Sequence, residues 1–258
     1  MAAVPFFHAQ LINEMRMENT LQHIVIGLGE VGAAINTALS LSGATVKSRD
    51  IETPEWTHNN GGVMHVCIPW SNTFPDIVNN YSQKYKPDII VVHSTVPVGT
   101  CDTHNWIHSP VRGRHPNLVD GVLSFPKHFG GGQKHQRQHI ANSWSELFHE
   151  SPLPVTHETA KETEAGKLWE LVQYGIQIRV EKEIYQWCHN NNINYDTVYA
   201  SFAETYNHGW RNLGQDHFIR PELSHEDGDI GGHCVKQMSV LLDHVIAQIV
   251  VTGEWTGH

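Results

Sequence analysis

Apolar residues fall along this chain in two regimes, short continuous runs in the first half and a helical recurrence in the second. His23 to Ile26 reads as a buried strand, and Ala33, Ala34, Ile35, Ala38 and Leu39 then supply one apolar helix face. Ala44 to Lys47 is strand-like, and Val63 to Ile68 is an apolar run stopped by Pro69. Phe74 to Tyr85 can form a helix, and Asp88 to His93 is the clearest strand after the first. Cys101 to Ile107 is too short for a full crossover helix. Leu123 to Gly132 reads as a strand ending in a glycine turn, Gln136 to His149 as a helix, and Val155 to His157 as a last short strand. This alternation predicts an α/β fold, an N-terminal Rossmann domain with a doubly wound, mainly parallel sheet.

From Ala160 to His189 there is no proline, and Leu168, Val172, Ile176, Val180, Ile184 and Cys188 recur every four residues. Leu171, Ile178 and Tyr185 add a neighbouring stripe. At 1.5 Å per residue this helix would run about 45 Å. A helix of that length with so broad an apolar face predicts packing against a second copy, a homodimer. Tyr195 to Trp210 supplies another helix, and His217 to Gly232 reads as a polar loop. Val235 to Val251 reads as a final helix with Met238, Leu242, Val245, Ile246 and Ile249 on one face. The expected organisation is a loosely ordered extension over 1–20, a dinucleotide-binding domain over 21–158 and a helical dimerisation and substrate domain over 159–258.

Composition narrows the function classes. The 258 residues are 40% hydrophobic and 17% charged, as in globular proteins. The formal charge of −10 argues against nucleic acid and anionic membranes as partners. No run approaches the ~18 apolar residues of a membrane helix, and the N-terminus lacks the basic region of a signal peptide. Cys67, Cys101, Cys188 and Cys234 are widely spaced with no C-x-x-C, which fits reduced thiols and a cytoplasmic location. Twenty histidines are unusual and make net charge sensitive to mild acid. His135 and His139 stand four apart on a helix, but with no third ligand in view they read as a solvated face, and no metal is expected.

The chemistry begins at Gly27-Leu28-Gly29-Glu30-Val31-Gly32, a G-x-G-x-x-G between the first strand and its helix. In that context Gly27 allows the tight turn, Gly29 lets a pyrophosphate approach the backbone, and Gly32 lets helix and strand pack closely. The helix start offers N–H groups and a positive dipole end to phosphate. Asp50, eighteen residues past Gly32, stands where an acid binds the adenosine ribose, which favours NAD over NADP, although Lys47 and Arg49 are close by. Ligands of open parallel sheets bind beyond the carboxyl ends of strands. That rule adds Pro69 and the loop Ser94-Thr95-Val96-Pro97-Val98-Gly99-Thr100 to the cofactor or substrate site.

The order GLGEVG, HVCIPW, STVPVGT, FPKHFGG, EAGKLWE on a long helix and GDIGGHC resembles the UDP-glucose/GDP-mannose dehydrogenases, the last motif most of all the UDP-N-acetylmannosamine branch. The resemblance spans about Gln22 to Val250. It implies an NAD-binding Rossmann domain, a helical domain with a long dimerisation helix, and oxidation of a sugar alcohol to a carboxylate with two NAD and a cysteine thiohemiacetal. By motif position it assigns Thr95 as the catalytic threonine, Lys167 as the oxyanion-stabilising lysine and Cys234 as the nucleophile. Three positions depart from the family: Val111 stands for its glutamate, Leu171 for its asparagine and Met238 for its aspartate. With the sequence ending at His258, the expectation is a relative without the family's third, nucleotide-binding domain.

At the start of a last helix, after Gly231-Gly232-His233, the Cys234 thiol would be acidified by the helix N-terminus. It could then attack an aldehyde, with Lys167 supporting the oxyanion. Cys234 could equally be a small buried thiol packing a helix. Three readings follow: an NAD-dependent oxidoreductase of an alcohol or sugar derivative, a non-catalytic NAD-binding descendant of such an enzyme, and a β-hydroxyacid dehydrogenase, which the GGHC loop fits poorly.

Overall fold

The computed structural model describes residues 21–51, 61–114, 116–230 and 234–255, so the expected extension over 1–20 and the residues Gly231, Gly232 and His233 lie outside the described residues. The chain divides into two compact units, residues 1–165 and 166–258. The first is an α/β unit. In chain order it runs β1 (His23–Ile26), α1 (Glu30–Leu41), β2 (Val46–Arg49), β3 (Val63–Val66), α2 (Phe74–Tyr85), β4 (Ile89–Val92), α3 (Thr100–His104) and β5 (Ile107–His108). It continues through α4 (Leu118–Ser124), β6 (His128–Gly131), α5 (Lys134–Leu147) and β7 (Val155–His157) to the start of α6 (Ala160–Asn190).

The strands form one sheet in the order β2-β1-β3-β4-β5-β6-β7. Every pairing is parallel except β5 with β6. From β1 the chain goes outward to β2 and then returns to β3 on the other side, so the winding reverses between β1 and β3. Alternation along the strands sends Val25, Val63 and Val91 to one face, under Ile35, Leu39, Val122 and Trp144 of the helices α1, α4 and α5. The other face carries Ile24, Met64 and Val92 under Phe74, Val78 and Tyr85 of α2. This is the doubly wound Rossmann architecture expected from the sequence.

Several boundaries differ from the sequence expectation. β2 begins at Val46, not Ala44, because Gly43 turns the chain at φ 81 after α1 and β2 pairs from His23 with Val46. Leu123 is not the start of a strand. Leu118, Gly121 and Val122 recur at helical spacing and are buried, so α4 forms and ends where Pro126 restricts Phe125 to extended backbone at ψ 143.

The second unit is helical. The expected Ala160 to His189 helix forms as α6, which continues into it. A π-helical turn (Asp196–Ser201), α7 (Phe202–Asn212) and a short 3-10 turn (Asp216–Phe218) follow. The final helix expected over Val235 to Val251 is two, α8 (Val235–Ser239) and α9 (Val245–Thr252). The break falls where the His244 ring caps α9 by accepting from the Ile246 N–H. Of the expected apolar face, Leu242 packs against the core, but two members do not. Val245 and Ile246 are exposed, and Val235, Ala247 and Val250 close the core against Val172 and Ile230. Gly175 on α6 permits this, since a side chain there would meet Val250 at 2.5 Å. Arg179 ties the unit together, donating to the Val250 carbonyl at 2.8 Å and pairing with Asp229 at 2.7 Å. No helix of the described residues is long and apolar enough to cross a membrane.

Candidate functional site

The winding reversal puts a crevice at the carboxyl ends of β1 and β3, and the six residues from Gly27 to Gly32 stand on that edge. Gly27 is held by its N–H bond to the Arg49 carbonyl at 2.8 Å and has φ 87, and a Cβ on it would meet Ile68 at 2.9 Å. Gly32 is closed from the other side, for its Cβ would lie 1.8 Å from the Gly27 carbonyl oxygen. Both glycines are therefore required by the fold. Gly29 is not. Its φ is −61, which any residue adopts, and a Cβ there meets nothing within 4 Å. Gly29 also caps α1 without a side chain to offer, and the first four N–H groups of a helix have no intrahelical partner of their own.

Asp50 follows β2 and is fixed at the turn. One carboxylate oxygen accepts from the Leu28 N–H at 2.5 Å and the other from the Ile51 N–H at 2.7 Å. Pro69 is exposed just beyond β3. Ser94 is buried, and its hydroxyl donates to the Ile68 carbonyl at 2.6 Å, which anchors the segment leading into Pro69. Thr95 is half-buried at the head of the loop after β4.

That loop is clamped by two carboxylates that the sequence reading did not single out. Glu164 on α6 accepts from the N–H groups of Gly99 at 2.6 Å and Cys101 at 2.8 Å. Asp102 on α3 returns the contact, accepting from Ala160 at 2.8 Å and Lys161 at 3.2 Å at the start of α6. Each helix start is thus capped by an acid from the other, which also matches the helix dipoles. Burial raises the Glu164 carboxyl above its ordinary range, and the two N–H donors oppose that shift.

The catalytic candidates divide between the units. Thr95 belongs to the first, and Lys167 and Cys234 to the second. Lys167 is half-buried on α6. Cys234 is half-exposed at the N-cap of α8. Because α8 has only five residues, the long helix expected to acidify this thiol is absent. Val235 packs on Gly175, about 12 Å along α6 from Lys167. The other cysteines are buried. Burial pushes the Cys67 thiol up to about 12, with Lys127 opposing, and raises Cys101 too, so neither is a nucleophile.

Val111 is buried in the apolar cluster of the sheet face under α1, and Leu171 packs against the second unit's core. His135 and His139 are exposed on α5, and no group of three His, Cys, Asp or Glu side chains arranged to hold a metal ion occurs among the described residues. A buried row of histidines on β1, on β3 and just after β4 was also missed. Its signal was a lone histidine in each of three otherwise apolar strand segments.

No family model and no curated protein matches the chain. Solved structures do match its fold. The UDP-ManNAc dehydrogenase of Pyrococcus horikoshii is 15% identical with a TM-score of 0.72, covering 90% of this chain and 67% of its own. A UDP-glucose dehydrogenase of Pyrobaculum islandicum is 14% identical with a TM-score of 0.67, covering 92% and 68%. The 3-hydroxyisobutyrate dehydrogenase of Mycobacterium tuberculosis is 12% identical with a TM-score of 0.62, covering 90% and 92%. The chain thus has the Rossmann-plus-helices fold of nucleotide-sugar dehydrogenases, over about two thirds of their length.

Proposed function

We propose that the chain binds NAD at the Gly27 to Gly32 turn and is an NAD-dependent oxidoreductase of an alcohol or sugar derivative. The observation that carries this is Gly29. The fold gives no reason for a glycine there, because its backbone is ordinary and its Cβ direction is open. A pyrophosphate lying against the backbone is such a reason. Leu28, Glu30 and Val31 would line the phosphates with backbone, and Asp50 would take the ribose hydroxyls. Pro69, Ser94 and Thr95 would border the rest of the cofactor. A bound nicotinamide would supply the hydride acceptor. Thr95 would hold the reacting hydroxyl, Lys167 would stabilise the oxyanion and Cys234 would serve as nucleophile to an aldehyde. The fold shared with solved dehydrogenases supports this reading.

A second reading, a non-catalytic NAD-binding protein, draws on Val111. Where the resemblance calls for a glutamate, this chain commits the position to the core, 5% exposed. Both readings require the cofactor. Calorimetric titration should show NAD binding more tightly than NADP, and Gly29→Val should abolish binding without unfolding, since its side chain fills only open space. Tighter NADP binding, or equal binding by Gly29→Val, contradicts the proposal.

A further inference from the structure

Three imidazoles cross the first unit's sheet in a hydrogen-bonded row. His23 opens β1, His65 lies in β3, and His93 follows β4, all on the face under α1, α4 and α5. His23 Nδ1 is 2.9 Å from His65 Nε2, and His65 Nδ1 is 2.9 Å from His93 Nε2. His93 Nδ1 is 2.6 Å from the Ser109 carbonyl oxygen. The row climbs diagonally from the amino edge of the sheet to the carboxyl edge, because His23 pairs with Val63 while His65 pairs with Val25 and Val91.

A carbonyl oxygen only accepts, so His93 Nδ1 carries a hydrogen and donates it. The neutral His93 then accepts at Nε2 from the His65 Nδ1–H, and His65 accepts at Nε2 from the His23 Nδ1–H. All three tautomers point one way. The row leaves His23 Nε2 as its open acceptor. His23 also lines a cavity of about 1030 Å³ with Leu21, Ser42, Leu123, Glu146 and Ser151, at the edge of the sheet opposite the glycine turn. At the other end Lys127, 4% exposed, donates to the Ser109 and Pro110 carbonyls at 3.1 Å each, with Nζ 3.4 Å from His93 Nδ1.

Packing does not account for the row. Apolar side chains would fill this face without the cost of burying polar and charged groups, as Val25, Val63 and Val91 do beside it. We propose that His23, His65 and His93 form a proton relay between the cavity and Lys127. When Lys127 is a neutral amine, an acid in the cavity, hydronium or buffer, gives a proton to His23 Nε2. The Nδ1 hydrogens of His23 and His65 each move to the next Nε2, and that of His93 moves to the Nζ lone pair. One proton enters and one leaves, and no charge stays on the rings. The reverse sequence starts only from rings that carry their hydrogens on Nε2, and it returns the proton from Lys127 to the cavity.

Electrostatics agrees with this polarity. Burial above all holds His65 and His93 neutral; His93, His23 and then Lys127 add to this at His65, and at His93 Lys127 and then His108 do so against the Ser109 carbonyl. Loss of the Lys127 proton removes that repulsion when a proton has to pass. Carbonyl reduction, the reverse of alcohol oxidation, takes up one proton per hydride, which gives inward transfer a use that rests on the oxidoreductase reading.

The relay is tested on the full chain without cofactor. Nitrogen-15 spectra of histidine-labelled protein at neutral pH should place the ring hydrogen of all three residues on Nδ1. Solvent exchange of the His93 ring hydrogen should outpace that of the Val91 and Val92 amides. His65→Phe, which interrupts the row, and His23→Leu, which closes its open end, should each slow that exchange roughly tenfold or more with amide protection unchanged. If His65→Phe does not fold, His23→Leu carries the test alone. A His93 hydrogen that exchanges no faster than the neighbouring amides in the wild type, or equally fast in the folded variants, overturns the relay. Neither result depends on whether Gly29→Val loses NAD.

Discussion

A buried neutral imidazole makes folding resist protonation. His23 is 1% exposed, and burial lowers its pKa from 6.5 to about 4. The unfolded chain therefore binds more protons than the folded one between those two values. Stability from this group is complete above pH 6.5 and is lost as pH falls towards 4. The shift corresponds to on the order of 3 kcal/mol, and His65 and His93 shift in the same direction. Denaturant titrations should show unfolding free energy falling steadily across that interval, with net proton uptake on unfolding. A flat profile there would contradict the burial of these rings. The histidine count was visible in the sequence, but not this arrangement. Each strand announces one histidine, and only the register that sets His65 opposite Val25 and Val91 makes them neighbours. The glycines were more legible because part of their constraint is local, although Ile68 also bars a side chain at Gly27. Gly27 and Gly32 meet within one turn, so their spacing between a strand and its helix identified them.

At the scale of elements, α6 was legible for a similar reason. A helical period over thirty-one residues needs no tertiary information. What the period could not show is which positions the protein itself covers. Leu168, Val172 and Cys188 are fully buried, whereas Val180 is 42% exposed. Trp169 and Trp187 are exposed as well, and at 100° per residue both fall within about 20° of Val180 around the helix. We propose that this stripe packs on a second copy of the chain. Val180→Asp should then give a folded monomer by light scattering at tens of micromolar, with helicity retained. Ile176→Asp, which buries a charge against the second unit's core, should unfold that unit instead. A wild-type monomer at that concentration refutes the interface. The last helix failed to match because apolar residues recur on both sides of Asp243 and His244, with no proline or glycine from Val235 to Val251. The stop is a single histidine side chain capping the next helix at His244, and cap geometry leaves little trace in an apolar pattern.

At the scale of the whole molecule, a doubly wound, mainly parallel sheet followed from the alternation of short runs and the helical second half from its helical period, whereas the strand order and the antiparallel pairing of β5 with β6 did not. The chemistry did not, because it depends on side chains brought together from different elements. The thioester step of a two-step sugar oxidation needs a water positioned by polar groups. Val111 faces the core and Met238 is apolar, so neither side chain can hold that water. Leu171 packs against apolar neighbours and cannot donate to an oxyanion, a loss of about 3 kcal/mol or roughly a hundredfold in rate. We therefore predict that the protein does not carry a UDP-sugar through to the acid at ordinary turnover. Thr95, Lys167 and Cys234 would support one two-electron step. Incubation with NAD and a panel of UDP- and GDP-sugars, with NADH and sugar acid followed together by mass spectrometry, should give at most one slow NADH per sugar, lost in Cys234→Ala. Two NADH per sugar acid at ordinary rate would overturn the prediction. No turnover with NAD binding intact would assign the fold to binding alone, and the buried Val111 would then be the residue that marks the change.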